Sequence, residues 1–399
     1  MKILILNCGS SSIKYKLYDM AAQQVMAAGG VEKIGLAGAF LKTKTPQAGK
    51  YMHDIPDHAT GLRFVLDELT DADHGVIKSL SEIDAIGDRI THGGPFSEST
   101  LLTPEIFAEW KKYIGLGPVH SPAQAKSIQA VMDCLPGVPQ VAIFDTAFHQ
   151  TLPDYAYLYA LPYRYYEEDG VRRYGFHGTS FRYVMQRAAE VLHFDPHHSR
   201  VIIAHIGNGI SLAAVKDGKC VDTTMGMMPN EGPMMGTRTG DLDPSALLYV
   251  MDKHHLSPAQ AIDLTNKQSG VLGISGITND IRELVEATKQ GNERAQLALK
   301  MYTYRLKKYV GAYAAVLGGV DYIIFTAGVG ENQPPVRRGT LEGMEYLGVQ
   351  LDLDKNEQVY GQETIISTPQ SRVTVAVIPT DEELMMAQDT LRIVSQAKA

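Results

Sequence analysis

Short runs of apolar residues that end in polar or glycine-rich turns are the most regular feature of this chain. Aliphatic and β-branched runs of this length are typical of strands that are buried on both faces. They predict strands at residues 3–6, 83–90, 141–144, 201–206, 322–325 and 373–378. Residues 13–18 alternate apolar and polar side chains, as a strand with one covered face does. Apolar residues at helical spacing predict helices near residues 62–69, 121–131, 183–191, 257–266, 279–289, 293–317 and 384–394. Strands and helices that follow each other in this way indicate an α/β protein.

The strand–turn–strand pattern at the start of the chain recurs near its middle. Residues 202–215 repeat the order of residues 3–18, and Gly9 and Gly209 occupy equivalent positions in the two turns. The repeat favours an internal duplication, in which two halves with the same core face each other across a cleft. Chance is the alternative, because a strand, a glycine turn and a second strand are a common combination. Residues 151–173, rich in tyrosine and proline, are interpreted as the crossing between two domains.

Composition limits the class of protein. A chain of 399 residues, 44% hydrophobic and 21% charged, is long enough for two globular domains of a soluble protein. The net charge of −8 argues against nucleic acid or an anionic membrane as a partner, since such surfaces usually require a basic excess. Three cysteines without CxxC spacing fit a reducing compartment. We expect a cytoplasmic protein with neither a targeting segment nor a membrane span.

Polar groups follow several of the predicted strands. Asp145 comes directly after residues 141–144, and ligands collect at the carboxyl ends of strands in open α/β sheets. A helix N-cap is the alternative role for this carboxylate. Glycine-rich turns at residues 9–12, 207–209 and 328–330 would let backbone N–H groups converge on an anion. One such turn is most often a hairpin or a bulge, but three in one chain favour phosphate binding.

Two arginines stand in glycine-rich segments. Arg89 precedes a Gly-Gly pair, and Arg238 lies in a long loop at residues 225–244 that is rich in glycine and proline. Long loops within compact domains are usually functional, and a guanidinium can bind a carboxylate or a phosphoryl group with two hydrogen bonds. A surface ion pair is the alternative for each arginine. His177 is equally consistent with a catalytic and with a packing role. Asn7, Asp145 and Glu382 carry hard oxygen ligands suited to Mg²⁺.

Several segments, taken in order, resemble the acetate kinase family. They are residues 7–14 (NCGSSSIK), 144–149 (FDTAFH), 174–179 (YGFHGT), 205–209 (HIGNG), 225–240 (MGMMPNEGPMMGTRTG), 325–332 (FTAGVGEN) and 379–383 (PTDEE). They extend through nearly the whole chain, so the resemblance is highly specific. It implies the duplicated ribonuclease-H-like fold of sugar kinases, heat-shock chaperones and actin. Residues 1–149 with 383–399 would form an N-terminal domain closed by the C-terminal helix. Residues 150–382 would form the domain that binds the nucleotide and dimerises.

The resemblance also implies a reaction. The carboxylate of acetate would attack the γ-phosphoryl group of ATP in line, giving acetyl phosphate and ADP reversibly. Mg²⁺, or Mn²⁺ in its place, would be the metal, and ATP the co-substrate. The expected partners are ATP or ADP, a short-chain carboxylate and a second copy of the chain, with neither nucleic acid nor a membrane among them.

The family's site residues carry over by position. The catalytic residues would be Asp145, Arg89, Arg238 and His177. The transferring phosphoryl group would be contacted by Asn208, Gly209, Lys14, Ser10 and Ser12. ATP would be bound by Lys14, His205, Gly207, Asn208, Gly209, Asp280, Ile281, Arg282, Gly328, Val329, Gly330 and Asn332. The substrate pocket would be lined by Arg89, Thr91, Val119, Phe176 and Pro229, and the metal held by Asn7, Glu382 and Asp145.

Some positions depart from the family pattern. Ile210 stands where Ser is usual, Ser121 and Asp381 stand where Asn is usual, and Thr91 replaces a Val in the acyl pocket. A pocket of this kind discriminates against one methylene by only ~1–3 kcal/mol, so a propionate or butyrate kinase is the first alternative. The second is an ATP-binding module that changes shape without acyl transfer. Arg89 and Arg238 count against it, because a nucleotide switch alone has no use for them.

Overall fold

Strands and helices alternate along the chain. The computed structural model describes residues 1–118 and 120–397, so Val119, expected in the substrate pocket, lies outside the described residues. The strands are β1 (Lys2–Cys8), β2 (Ser12–Asp19), β3 (Gln24–Glu32), β4 (Phe40–Thr45), β5 (Gly49–Met52), β6 (Ala85–Ile90), β7 (Thr100–Leu101), β8 (Gln140–Phe144), β9 (Arg200–Ile206), β10 (Ile210–Lys216), β11 (Lys219–Thr223), β12 (Tyr322–Thr326), β13 (Thr364–Ile365) and β14 (Thr374–Val377).

The helices account for most of the remaining chain. The α-helices are α1 (His58–Leu69), α2 (Pro104–Lys111), α3 (Ser121–Cys134), α4 (Asp154–Tyr157), α5 (Arg164–Asp169), α6 (Gly178–Leu192), α7 (Pro244–His254), α8 (Pro258–Lys267), α9 (Gly270–Ser275), α10 (Ile281–Lys289), α11 (Glu293–Val316), α12 (Ala327–Asn332), α13 (Pro334–Leu341), α14 (Leu353–Gln358) and α15 (Glu382–Ala397). Short 3-10 helices occupy Leu80–Glu82, Ile114–Leu116, Ala147–Thr151, Pro196–His198 and Glu345–Leu347.

Two compact units divide the chain. One contains residues 1–147 together with the segment that begins at Asp381, and the other contains residues 148–380. The first unit is built on an eight-stranded sheet in the order β5-β4-β3-β2-β1-β6-β8-β7. β1 to β5 pair antiparallel with their neighbours, whereas β1, β6 and β8 are parallel. The parallel strands therefore end at the same edge of the sheet.

Both faces of β1 are covered, which explains its uninterrupted run of apolar residues. Leu4 and Leu6 lie in the cluster formed with α1 and α3, while Ile3 and Ile5 lie in the cluster formed with α15. α15 approaches β6 closely at Gly87, where an added Cβ would lie 2.5 Å from the hydroxyl oxygen of Thr390. A side chain at this position would push the helix off the sheet, so glycine is required here.

A six-stranded sheet forms the second unit, in the order β11-β10-β9-β12-β14-β13. β9, β10 and β11 are antiparallel neighbours, and β9, β12 and β14 are parallel. α11 packs on one face of β9 and α6 on the other. The order and directions of β11-β10-β9-β12-β14 match those of β3-β2-β1-β6-β8, so the duplicated pattern predicted from the sequence is present.

The structure also contains elements that the apolar pattern did not predict. The hairpins of β3, β4 and β5 and the short helices α2, α9, α12, α13 and α14 are among them. The tyrosine-rich segment at residues 151–173 contains α4 and α5. Residues 225–243 form no helix or strand, as predicted. Within the described ranges, no helix has both the length and the apolar character that crossing a membrane requires.

Candidate active site

Arg89 and Asp145 meet at the edge of the first sheet where its parallel strands end. Arg89 lies near the end of β6 and Asp145 directly follows β8, the strand beside it. The Nε atom of Arg89 donates to both carboxylate oxygens of Asp145 at 3.1 Å, and Nη2 donates to Oδ2 at 2.6 Å. Asp145 is only 1% exposed, so its charge is neutralised almost entirely by this arginine.

Asn7 and Glu382 complete a cluster around the Arg89 guanidinium. Nη1 of Arg89 lies 3.4 Å from Oδ1 of Asn7, and Nη2 lies 3.9 Å from a carboxylate oxygen of Glu382. Burial raises the pKa of Glu382, and Asp145 adds to the shift while Arg89 opposes it. Although burial alone would lower the pKa of Arg89, Asp145 and Glu382 raise it above its ordinary value. The cluster thus combines one firmly charged guanidinium with three oxygen-bearing groups.

The oxygen donors of this cluster fit a hard divalent cation. Mg²⁺ is usually bound through one or two carboxylates, with waters and substrate phosphates completing its shell. No group of three or more acidic, histidine or cysteine side chains with metal-binding geometry occurs in residues 1–118 and 120–397. Asn7, Asp145 and Glu382 could therefore hold a cation only together with ligands from a substrate.

The first glycine turn adjoins this cluster. It connects β1 to β2 and is closed by a hydrogen bond from the backbone N–H of Gly9 to the carbonyl oxygen of Ser12 at 2.9 Å. Ser10 is exposed and Ser12 is half-buried. Lys14 pairs with Asn7 across the two strands and is exposed to solvent. The predicted phosphate-contacting residues of this unit therefore lie along one short stretch of β2 and the turn before it.

His177 and His205 stack on each other in the second unit, with ring centroids 4.1 Å apart. Nδ1 of His177 shares a hydrogen bond with the hydroxyl of Ser211 at 2.8 Å, and Nδ1 of His205 shares one with Ser180 at the same distance. His177 has a positive φ of 60° directly before α6, a left-handed conformation that is costly for a residue with a side chain. The fold therefore fixes both the backbone and the ring of His177.

Arg238 and His177 both lie close to Gly209 of the second glycine turn. An added Cβ at Gly209 would lie 3.2 Å from Nη1 of Arg238 and 3.4 Å from the His177 ring. Nη1 donates to the carbonyl oxygen of Pro229 at 2.7 Å. Burial lowers the pKa of Arg238, and within the described part of the chain no carboxylate forms an ion pair with it. A half-buried guanidinium with no acidic partner among the described residues is suited to an anionic ligand.

A cavity of about 810 Å³ opens beside this turn, entirely within the second unit. Of the residues predicted to bind ATP, it is lined by Gly207, Asn208, Asp280, Ile281, Arg282, Gly328, Val329 and Asn332. Lys14, which belongs to the first unit, and His205, Gly209 and Gly330 do not line it. Asp280 caps α10 and pairs with Arg282 at 2.7 Å. The volume is in the range of cavities that hold a cofactor-sized molecule.

The whole chain matches known proteins. The model of the acetokinase family matches residues 2–388. The chain belongs to the acetokinase family. A protein of Phocaeicola vulgatus named acetate kinase is 57% identical over an alignment of 399 positions, which covers 99% of this chain and 100% of that protein. One of Bacteroides thetaiotaomicron with the same name is 56% identical over the same shares.

Solved structures agree with this assignment. The crystal structure of Porphyromonas gingivalis acetate kinase has a TM-score of 0.95 and 52% identity, covering 98% of this chain and 99% of that one. A propionate kinase from Francisella tularensis has a TM-score of 0.91 and 38% identity over the same shares. The predicted family and the α/β fold with two mixed sheets are confirmed. Membership of the acetokinase family also makes the chain an enzyme that uses ATP and a divalent metal.

Sequence reasoning missed side chains that hold the acetokinase site in place. Gln124, buried in α3, donates from Nε2 to the hydroxyl of Thr91 at 2.8 Å and accepts from the Thr91 backbone N–H at 3.2 Å. Ser211 and Ser180 orient the two histidines. Arg337 is fully buried and donates to the carbonyl oxygens of Gly330 and Glu331. The sequence motifs did not indicate these partners. Gln124, Ser180 and Ser211 are each more than twenty residues from the side chain that they contact, and Arg337 lies outside every motif.

Further residues line the nucleotide-sized cavity without having been predicted. They are Gly236, Asn279, Val285, Glu286, Lys289, Gln333, Pro334, Pro335, Glu357 and Tyr360. Several of them belong to α10, α13 and α14 or lie next to these helices. The helical spacing of α10 could have indicated Val285 and Lys289, but the other positions carry no recognisable sequence signal.

Proposed function

We propose that this enzyme catalyses the reversible transfer of the γ-phosphoryl group of ATP to acetate, giving acetyl phosphate and ADP. The full-length similarity to proteins named acetate kinase, at 57% and 56% identity, carries this proposal. Arg89 in the first unit, and Arg238 with His177 in the second, provide cationic and hydrogen-bonding groups suited to two anionic reactants. The cavity of about 810 Å³ has room for a nucleotide.

The reaction needs positioning and charge neutralisation more than covalent help from the protein. A carboxylate oxygen of acetate forms the new bond to phosphorus, while the bond to the bridging oxygen breaks and its electron pair stays with ADP. No proton moves, because acetate is already an anion. Arg89 would bind the carboxylate, and Arg238, His177 and Asn208 would hold the transferring phosphoryl group in line, assisted by Lys14, Ser10, Ser12 and Gly209.

We infer that Mg²⁺, replaceable by Mn²⁺, is the divalent metal. Asn7, Asp145 and Glu382 would hold it together with phosphate oxygens. When bound, the cation supplies positive charge that offsets the negative charge of the phosphate chain. Arg89, which already binds Asp145 through two nitrogens, would keep that carboxylate oriented toward the cation. ATP would occupy the cavity through the turns at Gly207 and Gly328 and through Asp280, Ile281 and Arg282.

We further propose that the protein acts as a cytoplasmic homodimer. α7 is an eleven-residue helix without a buried residue, and Leu248 and Tyr249 are each 63% exposed on it. Exposed apolar groups of this size are typical of surfaces that another chain covers. The three cysteines, Cys8, Cys134 and Cys220, are free thiols, which fits the reducing conditions of the cytoplasm.

Acyl-chain preference is the finer part of the proposal. Thr91, Phe176 and Pro229 would contact the methyl group of acetate, together with Val119. Propionate is the second candidate substrate, because a related propionate kinase has 38% identity and a TM-score of 0.91. Acetate is favoured, because the relatives with more than half of their residues identical are named acetate kinases.

Trapping the acyl phosphate with hydroxylamine tests the reaction directly. Purified enzyme, Mg-ATP and one acid at a time would give a strong hydroxamate signal with acetate and weaker signals with propionate and butyrate. Arg238→Gln should lower the acetate rate about 10²–10³-fold while ATP still binds, since one preorganised charge at the reacting group is lost. Arg187→Gln, which removes a surface ion-pair partner of Glu363, is the control and should leave the rate unchanged. Absence of hydroxamate with every acid would refute the proposal.

A further inference from the structure

A face of the first sheet carries four lysines, of which the proposed reaction uses only Lys14. Lys14 and Lys16 lie on β2, and Lys42 and Lys44 lie on β4. Gly30 of β3 pairs with Lys14 on one side and with Lys42 on the other, and Lys16 pairs with Ala28. Residues two apart on a strand, and residues paired across strands, point to the same side of a sheet. A β-bulge at Lys44 interrupts the regular pairing, but all four side chains line the same depression and therefore share one surface, here called the lysine face.

Small residues form the floor of the lysine face. An added Cβ at Gly30 would lie 2.8 Å from the carbonyl oxygen of Ile13 and 3.7 Å from Cγ of Lys14, so no side chain fits there without displacing its neighbours. The result is a depression of about 200 Å³ lined by the lysines, Asn7, Glu32 and Glu383. α15 packs on β1, β6, β7 and β8, which lie beside this part of the sheet.

The lysines of this face are incompletely neutralised. Lys16 lies 3.4 Å from a carboxylate oxygen of Glu383 and 3.7 Å from one of Asp381. Lys14, Lys42 and Lys44 are exposed, and none of them forms an ion pair with another residue in the described ranges. Lys50 pairs directly with Lys42 from β5. Like charges opposite each other destabilise a sheet, and the protein as a whole carries a net charge of −8. The four lysines share this surface with Glu32, Glu383 and Asp381, so the lysines are in slight excess over the carboxylates here.

Spacing on the lysine face suits an anion with more than one charged group. Neighbouring strands are roughly 4.8 Å apart, so the backbones of Lys14 and Lys42, two strands apart, are about 10 Å apart. Lys42 and Lys44 are separated by about 7 Å along one strand. Flexible ammonium groups at these separations can reach two or three phosphate or carboxylate groups of a single small molecule.

We propose that the lysine face is a second anion site, distinct from the nucleotide cavity, that binds a small polyanion carrying two or more phosphate or carboxylate groups. Lys14 belongs both to this face and to the residues proposed to contact the transferring phosphoryl group. A bound polyanion would occupy Lys14 and so inhibit phosphoryl transfer. The inhibitory effect rests on the proposed function, whereas binding to the lysine face does not.

Calorimetric titration of the full-length protein tests the binding. Tripolyphosphate and citrate serve as probes, without divalent metal and with saturating ADP in the nucleotide cavity. Lys42→Gln with Lys44→Gln should weaken binding at least tenfold. The charge-matched control is Lys111→Gln with Lys112→Gln at the end of α2, which should change it less than twofold. The probe that binds more tightly identifies the ligand as a phosphate or a carboxylate.

Three results would overturn the site: unchanged binding in the Lys42 and Lys44 variant, an equal loss in the control, or loss of binding when ADP is present.

Steady-state rates at constant free Mg²⁺ then test the inhibition. The Lys42 and Lys44 variant should keep the kcat and KM of the original protein but show a tenfold higher inhibition constant for the probe. Probe binding without any acyl phosphate formation would contradict the proposed reaction and leave the anion site standing. Probe binding without inhibition would contradict the shared role of Lys14.

Discussion

Thr91 differs from a valine of the same shape by one hydroxyl, and that hydroxyl is committed to Gln124. The Gln124 amide donates to it at 2.8 Å and accepts from the Thr91 backbone N–H at 3.2 Å, so both ends of the amide are satisfied. Gln124 is 2% exposed, so water cannot replace Thr91 as its hydrogen-bond partner. The hydroxyl that distinguishes Thr91 from the family's usual valine therefore forms a hydrogen-bonded pair with Gln124. The methyl group of Thr91 stays in place.

Replacing Thr91 with valine should affect stability more than substrate choice. Thr91→Val leaves the buried Nε2 of Gln124 without an acceptor, which costs about 1–3 kcal/mol of unfolding free energy. The order of hydroxamate yields with acetate, propionate and butyrate should stay the same. Chemical denaturation and the acid series measure the two effects, and Thr91→Val with Gln124→Leu should recover part of the loss. A shift toward longer acids at unchanged stability would contradict this account.

Asp88 is a second buried polar group, and it is paired with a neutral partner. Its Oδ2 accepts from Nε2 of Gln140 at 2.6 Å, and burial raises the pKa of Asp88 from 3.8 to about 7, although that hydrogen bond opposes the shift. The folded protein therefore binds a proton at this site at pH values where the unfolded chain has lost it. The stabilising effect of that proton is complete below pH 3.8 and is lost as the pH rises toward 7.

Asp88→Asn should consequently make the protein more stable at pH 8. The advantage over the original protein should be on the order of 4 kcal/mol at most, because each unit of pKa shift corresponds to about 1.4 kcal/mol. It should shrink as the pH falls and disappear near pH 4. Urea denaturation of both proteins between pH 4 and pH 8 measures it. A constant difference at all pH values would show that Asp88 does not titrate in this range.

Among the elements, α12 depends most clearly on a side chain outside itself, that of Arg337 in the next helix. It contains Gly328, Val329 and Asn332 of the nucleotide cavity and is six residues long. Arg337 in α13 donates to the carbonyl oxygens of Gly330 and Glu331 in α12. It also donates to those of Asn356 and Val359, and to the side chain of Asn356. One guanidinium thus satisfies the end of α12 and joins it to α14.

Arg337→Met should loosen the adenosine end of the cavity. Four buried carbonyl oxygens would lose a donor, so the unfolding free energy should fall by at least about 3 kcal/mol. The KM for ATP should rise more than kcat falls, because α12 is proposed to bind the adenosine part of the nucleotide and not the transferring group. Arg338→Met is the control, because the Arg338 side chain is exposed and, among the described residues, forms an ion pair with Glu357 alone, at 3.0 Å. Equal effects of the two substitutions would rule out the positioning role.

The sequence predicted the elements that carry long apolar runs and missed those that do not. β1, β6, β8, β9, β12 and β14 follow the runs closely, because their side chains are buried on both faces. β3 and β4 escaped notice, since Gly29 and Gly30 interrupt the apolar pattern of β3 and a threonine, Thr43, occupies a buried position of β4. Motifs indicated Arg89, Arg238 and His177, but Gln124, Ser211 and Arg337 act through contacts with residues far along the chain. Such pairs become visible only when the backbone brings them together.

At the scale of the whole molecule, the exposed apolar surface of α7 is the feature that the fold of a single chain explains least. Its residues Leu248 and Tyr249 project apolar groups that no described residue covers, and Leu242 just before it is 46% exposed. In contrast, α6 and α11 each place several large apolar residues in the cores of the second unit, although Leu297, Tyr304 and Val316 of α11 are exposed. A surface of this kind supports the proposed dimer and indicates where its interface lies.

Leu248→Glu should convert the proposed dimer to a monomer. A charge in the centre of an apolar interface has no partner there, and its burial costs several kcal/mol. Light scattering of the purified protein would show half the mass of the original. Leu36→Glu is the matched control, because Leu36 is 62% exposed in the first unit. If the original protein is already monomeric, the proposed dimer does not exist. If the Leu248→Glu variant remains dimeric, the interface lies elsewhere.

The position of α15 has a consequence for synthesis on the ribosome. Ile3, Ile5, Val141 and Ile143 are covered by this helix, which follows the entire second unit in the chain. At roughly 5–20 residues per second, translation of residues 148–380 takes on the order of 10 to 50 seconds. During that time the nascent first unit exposes an apolar surface that α15, translated after the second unit, covers later. Chaperones can therefore bind this apolar surface until α15 has been translated.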